Sequence, residues 1–134
     1  MWGPQYDQAR LDGSDEIDLE ADRATYEADR ARDLELNATR GIDQAMEGNQ
    51  LDALLFPASS GAGIAAKPGY PTVIVPFAFV MDSSGPDFPE GFEPKPRPFG
   101  VSFTGSACSE PRLIELAFAF EQATKRRIAP PGMN

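Results

Sequence analysis

Residues 51–77 read "LDALLFPASSGAGIAAKPGYPTVIVPF", two apolar runs joined by a loop of small residues. The runs Leu51–Phe56 and Pro71–Phe77 are short, end at proline and, in the second case, are rich in β-branched residues. Both features suit strands rather than helices. Because hydrophobic residues follow one another without alternation, the reading is of strands buried under cover on both faces of a sheet. Between them, "ASSGAG" sets Ser59 and Ser60 beside glycines, seven residues before Lys67, and raises the question of a serine hydrolase site.

Composition limits that chemistry. The chain of 134 residues has no histidine and one cysteine. A Ser-His-Asp or Cys-His system within this polypeptide is therefore excluded. Cys108 stands outside any CxxC spacing, so no zinc knuckle is read, and one thiol forms no internal disulfide. Its expected state is a small hydrophobe, buried or half-buried. Without histidine, a serine would depend on Lys67, Lys95 or Lys125 as base. Each lysine would have to be brought from about 10.4 toward neutrality by burial or a neighbouring positive charge. Lys67 lies in a Gly- and Pro-rich loop, where a solvated ammonium is the expectation. The site reading is thus catalytic residues none, cofactor none and metal none.

The net charge of −9 is unevenly placed. Residues 1–52 carry fourteen acids against five arginines, whereas residues 53–134 carry seven acids and seven bases. Such an acidic field repels phosphate backbones, so no nucleic-acid partner is expected. No apolar run approaches the ~20 residues that span a bilayer, and the start lacks a signal-peptide pattern. The expectation is a soluble, cytoplasmic protein with no membrane span.

Outward from the opening stretch, residues 1–16 read as an irregular lead-in. From Ile17 to Gly48 the pattern is helical. Ala24, Ala28, Ala31, Leu34, Ala38, Ile42 and Ala45 recur at three- and four-residue steps, as one amphipathic helix or two joined near Gly41, with Ser14 or Asp15 as cap. Residues 81–98, with five prolines, read as an excursion loop. Residues 99–105 alternate Val101 and Phe103 with Ser102 and Thr104, a half-exposed strand. A final helix has Ser109 as N-cap, Pro111 in its first turn and an apolar face of Leu113, Leu116, Ala117 and Phe120. Lys125 to Arg127 stand at its end, and residues 131–134 form a tail.

In this order the elements resemble the C-terminal end of amidase signature enzymes. The resemblance rests on the Leu-Asp-aliphatic strand ending at Pro57, the Gly69-Tyr70-Pro71 turn leading to a strand with Val75-Pro76, the Pro98-to-Gly105 strand, and the helix from Leu113 to Ala123. It covers residues 51–130 well and the preceding helix more loosely. It implies an α/β fold: a partial mixed sheet of about three strands with a long N-terminal helix and a C-terminal helix, over residues 17–130. It also implies amide hydrolysis by a Ser, cis-Ser, Lys triad without cofactor, in a part of the family fold upstream of this segment. Ser59 and Ser60 follow the Leu-Asp strand and do not match that triad. Tyr70 matches the motif as turn geometry. The chain is accordingly read as a fragment or truncated relative of an amidase, inactive alone. Its partner would be the missing N-terminal amidase portion or a copy of itself, and an amide substrate would enter only a complete enzyme. The alternative is a non-catalytic interaction or regulatory module derived from the amidase fold.

Overall fold

A computed structural model of the chain describes residues 9–81 and 88–129. The chain divides into two units, Met1–Arg32 and Asp33–Asn134.

In the first unit, α1 (Ala9–Asp15) and most of α2 (Arg23–Asp33) are helical. Part of the expected irregular lead-in is therefore ordered as a helix, while residues 1–8 lie outside the described residues. Ser14 and Asp15 lie within α1 and do not start α2. Before α2 the Asp18 carboxylate closes a turn, accepting from the backbone N–H of Glu20 at 2.9 Å and of Ala21 at 3.0 Å. Those bonds, the one from Ala21 first, hold the carboxyl below its ordinary range, because they stabilise only the charged form. Ala24, Ala28 and Ala31 of the predicted stripe are exposed.

The second unit opens with a π-helical segment, Leu34–Asp43, continued by α3 (Gln44–Asn49). Gly41, the expected joint, lies within the wide turn: a Cβ there would stand 2.7 Å from the Leu36 carbonyl oxygen. Of the predicted stripe, Ala38 and Ile42 are buried here, Ala45 is half-buried and Leu34 exposed; Met46, outside that stripe, is buried beside Ile42.

Three strands follow: β1 (Leu54–Pro57), β2 (Thr72–Val80) and β3 (Arg97–Thr104), with the short α4 (Ala62–Ala66) between the first two. The α/β expectation of about three strands and a C-terminal helix is met. The sheet order is β1-β3-β2, and both pairings are antiparallel, so the sheet is not mixed. The excursion loop begins at residue 81 as expected and ends two residues early, because β3 begins at Arg97; residues 82–87 of it lie outside the described residues.

The positions of the strands invert the sequence expectation. The alternating segment, read as half-exposed, is the central strand, and its Ser102 and Thr104 are fully buried. They tolerate burial because each hydroxyl is bonded: Thr104 meets Thr72 directly across the strands at 2.9 Å, and Ser102 donates to the carbonyl of Ala58 at 2.7 Å. The two continuous apolar runs are instead the edges, with Leu55, Ile74, Phe77 and Phe79 exposed.

Register explains how prolines sit in both edges. Ala58 donates its N–H to the Gly100 carbonyl, so position 100 bonds toward β1 and, by alternation, not toward β2. Pro57 pairs with Val101 and Pro76 with Gly100, both non-bonded positions, so each missing N–H faces away from β3.

The core lies on both faces of this sheet. On one, Val75 and Phe103 pack with Leu113 and Ala117 of α5 (Glu110–Thr124), and the Phe103 and Phe120 rings meet edge to face at 5.7 Å. On the other, Leu54 packs against Ile42, Met46 and Ala65. Ser109 precedes α5 as predicted, but its hydroxyl donates to the Ser106 carbonyl and makes no side-chain cap. No helix among the described residues is long and apolar enough to cross a membrane.

Candidate functional site

The segment from Pro57 to Pro71 is the one the sequence singled out, and its backbone is held at both ends. At the first, Ala58 takes a left-handed conformation, φ 50°, as the chain leaves β1. Its N–H is bonded to Gly100 at 2.8 Å and its carbonyl to Ser102. The ring of Phe56 lies over Gly61, where a Cβ would come within 2.6 Å of the ring Cγ. Only glycine lets the loop turn back under that ring.

At the second end, Gly-Tyr-Pro is a helix stop. Gly69 has φ 82°, the N–H of Tyr70 bonds to the Ala65 carbonyl at 2.8 Å, and that of Gly69 bonds to Ala66 at 3.2 Å. This is the Schellman pattern, six-to-one and five-to-two, with Tyr70 folded onto the cluster that contains Ala65. Pro71 then prevents continuation. The motif thus acts as the turn geometry that the resemblance implied for Tyr70.

Two carboxylates ten residues apart on the preceding helical stretch grip this loop. Asp43 accepts from the Tyr70 hydroxyl at 2.8 Å, and Asp33 accepts from the Lys67 ammonium at 2.8 Å. The bond to Asp43, then partial burial and the negative charge itself, push Tyr70 above its ordinary value, since each disfavours the phenolate. Neither aspartate was read as functional from sequence, where acids on a helix look like a solvated face. The available signal was Asp43 itself, next to Ile42 on the apolar stripe.

Ser59 and Ser60 are exposed, and the Ser60 hydroxyl donates to the Pro57 carbonyl at 2.8 Å, closing a tight turn. Lys67, donating to Asp33, is an ion-paired ammonium and in that state has no lone pair with which to accept a serine proton. Lys95 and Lys125 are exposed, and Lys125 forms the left-handed C-cap of α5. Cys108 is exposed, contrary to the buried or half-buried expectation; its φ of 61° places it in the sharp turn before α5.

A second feature is apolar. Leu55, Pro57, Phe77, Phe99, Val101 and Phe120 line a groove of about 320 Å³ on the α5 side of the sheet. Phe77 and Phe120 stand 6.1 Å apart along it. No charged residue lines it.

No family model matches the chain. It is 42% identical over 90 residues to an Arabidopsis thaliana protein named "Probable amidase", a match covering 67% of this chain and 15% of that protein. It is 33% identical over 98 residues to a protein of Arthroderma benhamiae named as an amidase, again over 15% of that protein. Its fold matches native peptide amidase of Stenotrophomonas maltophilia with a TM-score of 0.74 and 32% identity, over 97% of this chain and 26% of that one. A second structure, peptide amidase with the competitive inhibitor chymostatin, matches with a TM-score of 0.60 over 76% of this chain. The chain therefore spans 15% of the length of the curated relatives it matches. The resemblance seen in the motifs is met in both sequence and fold.

Proposed function

We propose that this chain, a relative of the amidase signature enzymes in sequence and fold, supplies late strands and a pocket wall to an amide-hydrolysing domain and does not hydrolyse amides alone. The observation that carries the reading is the coverage: almost all of this chain matches peptide amidase, and it accounts for about a quarter of that fold. The residues agree with it. With no histidine, a serine here would need a lysine base, and Lys67 is ion-paired to Asp33 while the Ser60 hydroxyl is engaged by Pro57. What remains for the 57–71 loop is shape, fixed by Ser102, Tyr70 and Asp43.

The test is hydrolysis of simple amides and peptide amides by the purified chain, with and without the upstream portion of the peptide amidase supplied in trans. No turnover by the chain alone is expected. Turnover by the chain alone that is abolished by changing Ser59 and Ser60 to Ala would overturn the reading. A second reading, a non-catalytic interaction module, is favoured by the exposed apolar edges of the sheet. It predicts binding by the chain and no gain of activity in trans. Either role suits the cytoplasm, where the lone exposed Cys108 would stay reduced; cell fractionation tests that placement.

A further inference from the structure

Asp33, Ala38 and Asp43 stand five residues apart in sequence. Asp33 accepts from Lys67, Ala38 is buried, and Asp43 accepts from Tyr70. Ile42, beside Asp43, clusters with Ala65 of α4. In an α-helix, with roughly 3.6 residues per turn, these residues could not share a face: Ala38 would lie about 140° from Asp33, and Ile42 about 180°. The π-helical turns of Leu34–Asp43 bring them together, because a helix bonded from i to i+5 sets residues five apart one above the other. The outer face keeps the same spacing. Arg40 pairs with Glu35, five residues back, at 3.2 Å, whereas an α-helix pairs residues three or four apart. Gly41 permits the wide turn: a Cβ there would stand 2.7 Å from the Leu36 carbonyl oxygen, again five residues back, and a contact that short forces the turn to rewind.

We infer that Leu34–Asp43 is a two-register clamp on the 57–71 loop: in the π register both Asp33 and Asp43 hold the loop, and in the α register Asp33 leaves Lys67 and the lysine end of the loop is freed. The clamp is a property of this chain and holds whether or not the loop walls an amide pocket. The π-helix is a rare geometry, so it persists here through the contacts it makes at both ends. Which end lets go follows from burial. Ile42 is 2% exposed, and moving it off Ala65 would bring an apolar side chain into water. Asp33 and Lys67 are both partly solvated and separate at small cost. The rewound turn therefore keeps Ile42 and Asp43 in place and carries Asp33 away, while the tyrosine end of the loop stays bonded.

Competitive amine labelling of the intact chain, read by mass spectrometry, tests this. The lysines are Lys67, Lys95 and Lys125, and the last two are exposed references. In the wild type Lys67 is expected to react about two- to fivefold more slowly than the references, the protection a partly exposed ion pair gives. Asp33→Asn is expected to erase that difference by removing the partner, and Gly41→Ala to erase it by rewinding the turn. Gly48→Ala, at a glycine of α3 with nothing within 4 Å of a Cβ, is expected to leave it intact. In Gly41→Ala the amide of Tyr70, bonded to the Ala65 carbonyl, is expected to keep its wild-type exchange rate. Circular dichroism checks the fold. Should Gly41→Ala unfold, NMR couplings through the hydrogen bonds of the wild type identify the acceptors, and carbonyls five residues back are expected within Leu34–Asp43. Acceptors four residues back, a wild-type Lys67 as reactive as the references, a Lys67 still protected in Asp33→Asn or Gly41→Ala, protection lost in Gly48→Ala, or a faster-exchanging Tyr70 amide in Gly41→Ala each overturns the inference.

Discussion

The Ser102 hydroxyl, on the central strand, reaches the carbonyl of Ala58 at 2.7 Å, at the residue where the neighbouring edge strand turns left-handed. This one bond joins a buried polar side chain to a strained backbone position at the mouth of the 57–71 loop. It fixes where the loop begins.

Ser102→Ala leaves the Ala58 carbonyl without this partner, and the expected loss is about 1–3 kcal/mol, read from urea unfolding. Ala58→Gly removes the Cβ that a φ of 50° disfavours and is expected to stabilise by up to about 1 kcal/mol. The opposite signs of these two changes distinguish a pinned turn from a permissive one.

Gly61 and Gly63 lie two residues apart in the same loop and should respond oppositely to alanine. At Gly61 the new Cβ meets the Phe56 ring, with an expected cost of about 1–3 kcal/mol. At Gly63, in α4, nothing lies within 4 Å, and the gain in helix propensity is expected to stabilise by about 0.5–1 kcal/mol. Thermal unfolding of the two variants side by side checks the pair.

Tyr70 has its ionisation raised in the fold by Asp43, so its contribution is fully present below the unfolded tyrosine value near 10 and is lost as pH rises through the higher folded value. Stability should therefore fall at alkaline pH in the wild type, and Tyr70→Phe should remove that part of the fall. Asp43→Asn takes away the carboxylate, and the phenolate absorbance of Tyr70 should then appear at lower pH.

Leu113 is fully buried between α5 and the sheet, and Leu113→Ala is expected to cost about 2–5 kcal/mol. In a core built from few buried residues a loss of that size should bring the unfolding midpoint close to ambient temperature. A loss below 1 kcal/mol in chemical denaturation would contradict this packing.

Much of the site was legible in residue order. Gly69-Tyr70-Pro71 after a run of small residues is a local instruction: glycine takes the positive φ, the following N–H groups close the helix, and proline forbids its continuation. The Leu113 and Ala117 face of α5 was likewise visible as a three- and four-residue rhythm. Asp33, Asp43 and Ser102 were not legible in that way. Their partners Lys67, Tyr70 and Ala58 lie from 27 to 44 residues distant in sequence, and a carboxylate or hydroxyl has no local pattern that announces a distant donor or acceptor.

The sequence by itself marked the three strands, the final helix and the turns that break them, but not the helices at Ala9–Asp15 and Ala62–Ala66. Those outcomes follow from backbone restriction at Pro and Gly and from the spacing of apolar side chains. Tertiary structure alone decided which strand is central. Hydropathy read the continuous apolar runs as buried and the serine- and threonine-bearing strand as half-exposed; pairing reversed that. β3 can be buried on both sides because Thr72 and Ala58 satisfy its hydroxyls, whereas Pro57 and Pro76 suit edges that lack an outward N–H. Hydrogen-bond satisfaction across strands outweighed hydropathy along them, and it is invisible until the strands are paired.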